Sequence, residues 1–297
     1  MKQLLSRPEL AEQATLPILI YMKKRTEPTN VRKRVGFSLV ELLVVIAIIA
    51  LLIALVLVSV GNFQSSARLV QCMSNQHQLQ VGLVSFSQDN NGKFMSPASQ
   101  FSPPGVPNPN RDLFWVKSYN NNLQTNLRLA DLNGDGTEEE TESAIQEGAL
   151  FDYIQSIDSY RSPLDPSGRL RSYSLNGFIS DIPDNPSEQW GPTADRISRI
   201  RNPSNTMYTI AEHDTGWSGN YNRGGWVIDI YSRIWKDFPA FWEPRDRFAM
   251  SFIDGSSRIV DFANPKLEES ISGHEVPVND GSKIDFDQFA EWLRPDK

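Results

Sequence analysis

The chain has 297 residues, a single cysteine and a formal net charge of −7. That length allows a sizeable core in one large domain or two smaller ones, while the lone Cys72 excludes an intrachain disulfide and any thiol cluster for zinc or redox chemistry. An acidic balance argues against a nucleic-acid partner, whose phosphates call for a basic face. The charge is unevenly placed: residues 1–36 hold eight Lys or Arg against three Asp or Glu, so a leader of net +5 precedes a body of net −12.

The next feature along the chain is apolar. From Leu42 to Val58 seventeen consecutive residues are Leu, Val, Ile or Ala. As a helix, residues 37–60 would measure about 36 Å, enough to cross a hydrocarbon core of ~30 Å with some tilt. The run is longer than the apolar stretch of a secretory signal peptide, and Ser59-Val60-Gly61-Asn62 offers no A-x-A-like site, so the span is expected to be retained. Arg32, Lys33 and Arg34 crowd its N-terminal side and only Arg68 follows closely. The positive-inside rule then places the N-terminus in the cytoplasm and the body outside the cytoplasmic membrane.

Glu41 stands near the start of this run. A carboxylate at the centre of a span costs about 2.5–3.5 kcal/mol on insertion scales, and less near an end. One reading is an interfacial carboxylate that snorkels to the headgroups. The other uses Gly36, a small residue after a basic tract that suits the cleft of a processing protease. A cut between Gly36 and Phe37 would create an ammonium group as partner for Glu41. The chain's own terminus is geometrically awkward, so a neighbouring subunit's terminus is the expected partner.

"GFSLVELLVVIAIIALLIALVLV", from Gly36 to Val58, resembles the processing and membrane segment of type IV pilins and type II secretion pseudopilins. Gly36 stands before the cut, Phe37 becomes the N-terminus, and Glu41 is the fifth residue after it. The resemblance implies that a membrane-embedded prepilin peptidase removes the leader and methylates the Phe37 amine. It implies that Glu41 registers each incoming subunit in a helical fibre, with other pilin-like subunits and the pilus or secretion assembly machinery as partners. A leader of 36 residues is long for this family, whereas a start at Met22 leaves fifteen. An upstream misassigned start is the preferred explanation.

Beyond Gly61, Phe63, Leu69, Val70, Met73, Leu79, Leu83 and Phe86 recur mostly at three- and four-residue steps, the pattern of an amphipathic helix continuing the span. "DNNG" at 89–92 should end it. Residues 37–88 as one helix would be about 78 Å long; two helices hinged at Gly61 are the alternative. The Pro- and Asn-rich stretch 96–111 reads as a surface loop. Strand-like runs follow at 171–178, 206–213 and 225–231. The clearest, "RFAMSFIDGSSRIVDF" at 247–262, reads as a β-hairpin turning at Asp254-Gly255-Ser256-Ser257. "IDFDQFAEWL" from Ile284 reads as a short amphipathic helix. The expected fold is α+β: a long N-terminal helix, membrane-spanning in its first half (37–60), packed on an antiparallel sheet. The expected organisation is a cleaved leader (1–36), the helix (37–88) and an extracytoplasmic globular domain (89–297), pilin-like by the resemblance.

A narrower resemblance covers most of Val35 to Phe262. "VQCMSNQHQLQVGLVSFSQDNNGKF", "YRSPLDP", "RSYSLNG", "NPSNTMYTIAEHD" and "FAMSFIDGSSRIVDF" are similar, in order, to the landmarks of a pseudopilin-like group numerous in planctomycetes. This chain departs from it at Ser162, where that group commonly has Cys. It departs again at Pro244, where that group has a His ten residues before the Asp of the turn, so no role of that His carries over.

"DLNGDGTEEETE" places oxygen-bearing residues at loop positions one, three, five, seven, nine and twelve: Asp131, Asn133, Asp135, Thr137, Glu139 and Glu142, with Gly136 at position six. That spacing matches a calcium loop, in which a tight turn converges six to eight oxygens on a hard cation. Glu138 stands where an aliphatic residue is usual, and "SAIQEGAL" allows only a short exiting helix. A solvated acidic loop with chance spacing is the alternative. His77, His213 and His274 are spread along the chain with no metal-ligand spacing, and no G-x-S-x-G elbow, P-loop or G-x-G-x-x-G cradle is present. Enzyme chemistry is therefore not expected, and Ca2+ is the one cofactor expected. The aromatics Trp217, Tyr221, Trp226, Tyr231, Trp235, Phe238, Phe241 and Trp242 are expected in the core. Exposed, they would suit a membrane-anchored module that binds glycans or a secreted client, the alternative to a fibre subunit.

Overall fold

The computed structural model describes residues 36–97, 113–117, 129–130, 139–180, 186–213, 224–242, 246–271, 273 and 275–297. No proline interrupts the chain between residues 39 and 89, and one helix, α1, runs unbroken over Leu39–Asp89. Gly61 is passed without a hinge. The helix ends where Asn91 and Gly92 turn left-handed (φ 57° and 78°) and the Gly92 N–H reaches back to Ser87 O at 2.7 Å, the way helices commonly close their last carbonyls. The chain divides into two compact units, Met1–Ile53 and Ala54–Lys297.

In the first unit every described residue is exposed. The 18 residues Leu39–Val56 form one helical stretch long and apolar enough to cross a membrane, with none of it buried.

The second unit is built on the later turns of α1. Leu69, Cys72, Gln76, Leu79, Leu83 and Phe86 recur at three- and four-residue steps and are all buried. Val70, expected on this face, points away and is 52% exposed. Each fully buried Leu or Phe contributes about 1.5–3 kcal/mol. A two-residue pair, β1 (Leu129–Ala130) with β2 (Glu139–Glu140), is antiparallel. Two short helices, α2 (Glu142–Gln146) and α3 (Phe151–Ile154), follow. The strand-like runs become β3 (Tyr173–Asn176), β4 (Met207–Ala211), β5 (Gly225–Trp226) and β6 (Ile228–Asp229), and a further strand outside them, β7 (Ile234–Trp235), follows. The expected hairpin is β8 (Arg247–Phe252) and β9 (Ser257–Asp261). The chain closes with α4 (Leu267–Ser270), β10 (Val276–Pro277) and α5 (Lys283–Leu293).

The principal sheet has five strands in the order β5-β3-β4-β8-β9, antiparallel except for the β3–β5 pair. A second, antiparallel sheet has the order β10-β7-β6. Alternation along the strands sends side chains to opposite faces. Phe248, Met250 and Phe252 of β8 join Phe286, Phe289 and Leu293 of α5 in one core, while Ala249 packs against Leu69 and Cys72 of α1. The register shifts between Met207 and Thr209 of β4, so the extra residue lets Tyr208 and Thr209 both serve the α1 side. The result is an α+β body, with the sheet between a long helix and a C-terminal layer.

Candidate functional site

The first described residues, Gly36, Phe37 and Ser38, lie outside the helix and are exposed, Phe37 by 75%. A Cβ at Gly36 would meet nothing within 4 Å, so nothing in the described fold demands glycine there. Helix α1 begins immediately afterwards, and its start is locally satisfied. Ser38 N–H donates to Glu41 Oε2 at 2.8 Å, Val40 N–H donates to Ser38 Oγ at 3.3 Å, and Leu42 N–H donates to Ser38 O at 3.2 Å. This is a capping box of the S-x-x-E type, in which two otherwise unpaired helix-terminal donors find side-chain partners. The pattern is legible in the sequence, yet the reading of Glu41 as an acid awaiting a cation passes over it. The carboxylate curls back toward the start of the helix.

Farther along α1, amide side chains fasten the helix to the body. Gln76 Nε2 donates to Ala249 O at 2.6 Å, and Thr209 Oγ1 donates to Gln76 Oε1 at 2.8 Å. Asn75 Nδ2 donates to Asp158 O and Arg161 O at 3.2 and 2.8 Å, and Ser159 Oγ donates to Gln78 Oε1 at 2.8 Å. Gln76 is fully buried. A buried primary amide that lost such partners would be costly, so these bonds fix the register of helix against sheet. Cys72 Sγ lies 2.7 Å from Ser162 Oγ, and burial pushes the Cys72 thiol up, which keeps it a thiol. The space lined by Leu69, Cys72, Ser162, Trp242 and Phe248 is about 10 Å³, the size of a single water at most.

Beside it lies a buried ionic cluster. Arg169 Nε pairs with Asp165 Oδ2 at 2.6 Å, and Arg169 Nη2 donates to Glu212 O at 2.5 Å. Arg171 Nη1 donates to Tyr173 O at 2.8 Å, and its guanidinium lies 5.3 Å from the Trp115 ring. Ser174 Oγ donates to Glu212 Oε2. Burial, then the neighbouring Asp237 charge, push the Glu212 carboxyl up to about 8, against the pull of Ser174, Arg171 and Arg169. Burial works on Asp165 in the same sense, yet Arg169, with hydrogen bonds from Ser172 and Ser167, holds it below the usual carboxylate range.

Of the expected calcium loop, Asp131, Asn133, Asp135 and Thr137 lie outside the described residues. Glu139 belongs to β2, paired with Ala130 of β1, so the ends of the 131–138 segment meet. Glu142, exposed, opens α2, as the twelfth position of a calcium loop opens an exiting helix. Among the described residues no group of three or more His, Cys, Asp or Glu could hold a metal ion. His77 Nδ1 is 3.2 Å from Gly255 O, whereas the His213 ring contacts Phe241; His274 lies outside the described residues. Trp226, Trp235, Phe238 and Phe241 are buried, whereas Tyr231 is 65% exposed and Trp242 half-buried. Trp217, Tyr221 and Pro244 lie outside the described residues.

No curated protein and no solved structure matches the chain. Residues 32–59 match the family model described as the prokaryotic N-terminal methylation motif. With its exposed start, its capped helix and the one membrane-compatible stretch among the described residues, this chain therefore carries a prepilin segment of the type IV pilin and pseudopilin kind.

Proposed function

We propose that the protein is a structural subunit of a type IV pilus or type II secretion pseudopilus. In this reading prepilin peptidase cuts between Gly36 and Phe37 and methylates the new amine. The mature chain is held in the cytoplasmic membrane by residues 37–60, with its N-terminus on the cytoplasmic side and the body outside. It then assembles through α1 with other pilin-like subunits, delivered by the pilus or secretion machinery. The match of residues 32–59 to the methylation motif carries the proposal. The exposed, non-helical Gly36-Phe37-Ser38 supports it, since a protease cleft takes an extended chain. So does the apolar helical stretch Leu39–Val56, none of it buried, because such a surface needs lipid or other helices around it. The function is assembly, not turnover. N-terminal sequencing of the protein from its native membrane tests this: N-methylated Phe37 as first residue is expected, and an intact leader overturns it.

The reading extends to the acidic loop, for which we infer weak Ca2+ binding by Asp131, Asn133, Asp135, Thr137, Glu139 and Glu142. The oxygen-rich donor set supports it, as do the paired ends of the loop and the place of Glu142 at the start of α2. The described aromatics, most of them core residues, favour the fibre subunit over a glycan-binding module.

A further inference from the structure

We propose that residues 236–242 are a pH-operated latch, closed on the end of β4 while the Glu212 carboxyl holds a proton and loosened from it when alkaline surroundings remove that proton. The latch leads out of the second sheet, from the end of β7 toward β8 of the principal one. Asp237 N–H donates to Val227 O at 3.1 Å and Val227 N–H donates to Asp237 Oδ2 at 2.7 Å, which ties the latch to the chain between β5 and β6. On its other side His213 N–H donates to Phe238 O at 3.1 Å and Ala240 N–H donates to Ala211 O at 2.9 Å, around an antiparallel bridge between Glu212 and Pro239. The latch thus fastens one sheet to the other, and Glu212 stands at the clasp.

Glu212 is 3% exposed, and charged groups face it from several elements. From the segment ahead of β3, Arg169 pairs with Asp165 and donates to Glu212 O. Buried Arg171 donates to Ser174 Oγ at 3.3 Å, and Ser174, on β3, donates to the Glu212 carboxyl. From the latch comes the Asp237 carboxylate, whereas Lys236 beside it pairs with Glu275 at 2.7 Å. The adjacent His213 packs its ring against Phe241. Among the described residues, two guanidiniums therefore stand with two carboxylates, Asp165 and Asp237. A protonated Glu212 leaves that set balanced. An ionised Glu212 makes three carboxylates of two, a buried excess that is relieved when the groups separate or water enters. The latch carries Asp237 and is the side able to move, because Ser174 and Glu212 are held in and beside the five-stranded sheet.

The direction follows from linkage. Burial and then Asp237 hold the Glu212 carboxyl at about 8 when the latch is closed, against 4.5 for the ordinary group. An open latch returns Glu212 to water and to its ordinary value. The open form therefore gains on the closed one as pH rises above about 4.5, and the gain levels off above about 8. A reporter lies alongside. Ala240 and Trp242 of the latch, with Ala211, line the same space of about 10 Å³ as Cys72. That space admits no reagent while they are in place, and their withdrawal uncovers the thiol.

The test uses the full chain in detergent micelles, with the rate of Cys72 alkylation by iodoacetamide as the readout. Each rate is divided by that of Glu212→Gln at the same pH, which cancels the thiol's own pH dependence, since Gln keeps the shape of the protonated carboxyl and cannot ionise. The ratio for wild type is expected to rise about tenfold or more between pH 6 and pH 9 and to level off above about 8. Asp237→Asn keeps an oxygen for Val227 N–H but removes the facing charge, and its ratio is expected to rise at most about threefold. Should Glu212→Gln fold poorly, wild type divided by Asp237→Asn gives the same comparison. Low urea is expected to leave the rates unchanged, because a local opening exposes little surface. A ratio that stays flat with pH overturns the latch. Rates that climb with urea as steeply as global unfolding also overturn it, in favour of loosening of the whole body.

Discussion

Cys72 on α1 and Ser162, ninety residues later in the chain, meet with Sγ and Oγ 2.7 Å apart. By the narrower resemblance a Cys would be expected at Ser162, so the structure gives that departure a physical place. The hydroxyl here takes the position of a second sulfur, and it also accepts from Leu164 N–H at 3.2 Å. Ser162→Cys is expected to form a disulfide with Cys72 under oxidising conditions. In the chain-entropy model, closing a loop of this length stabilises by at most about 4–5 kcal/mol. Loss of the free thiol, with a reduction-sensitive rise in Tm, is the measurement; a variant that keeps two reactive thiols in the folded protein refutes the geometry.

Gln76 should be the least replaceable polar residue of α1. Its amide joins Ala249 O to Thr209 Oγ1, and Thr209 Oγ1 in turn lies 2.7 Å from Ser251 Oγ. Gln76→Leu keeps the bulk but leaves Ala249 O without this donor in a buried place. A loss of about 1–3 kcal/mol is expected by chemical denaturation, against less than about 0.5 kcal/mol for Ser74→Ala on the exposed face.

The buried Glu212 predicts a direction for pH dependence. Its carboxyl is raised from 4.5 to about 8 by burial, then by Asp237. Between those values the folded state holds a proton that the unfolded chain has released. This contribution is therefore fully present below about 4.5 and is lost as pH rises toward 8. Asp165 acts in the opposite sense: its lowered value adds stability above the usual carboxylate range, lost as the pH falls through that range, so the two windows are separable. Glu212→Gln, measured by Tm from pH 5 to 8.5, should flatten the decline and be more stable than wild type at the alkaline end. A wild-type Tm that rises across that interval, together with a Gln variant that follows it, refutes the assignment.

Calcium gives a fourth handle. Calorimetry of the full chain in detergent should show binding in the weak range of extracellular modules, Kd roughly 10⁻⁴–10⁻³ M. Glu142→Ala should weaken it at least tenfold. No heat on calcium addition would discard the site.

At the membrane end, Glu41→Ala is expected to insert and to be cleaved, because Gly36 and Phe37 are untouched. It should assemble poorly, read as fibre yield by sedimentation and electron microscopy. Wild-type fibre from this variant would remove Glu41 from the assembly step.

What the sequence by itself determined is what neighbours along the chain decide. Seventeen consecutive apolar residues specify the membrane-compatible helical stretch, the absence of proline specifies an unbroken α1, and Asn91-Gly92 supplies its left-handed stop. Alternating Phe248, Met250 and Phe252 before Asp254-Gly255 specify the β8–β9 hairpin. The capping box belongs here as well, since Ser38 and Glu41 are only three residues apart. The tertiary structure decided the rest, because polar side chains carry no mark of burial in their own neighbourhood. That Asn75 and Gln76 turn inward, that Cys72 finds Ser162, and that Glu212 loses water among Arg169, Arg171 and Asp237 all depend on contacts between distant parts of the chain. Hydration is lost only when the sheet closes over the helix, and no local pattern records which carboxylate or amide will be under it.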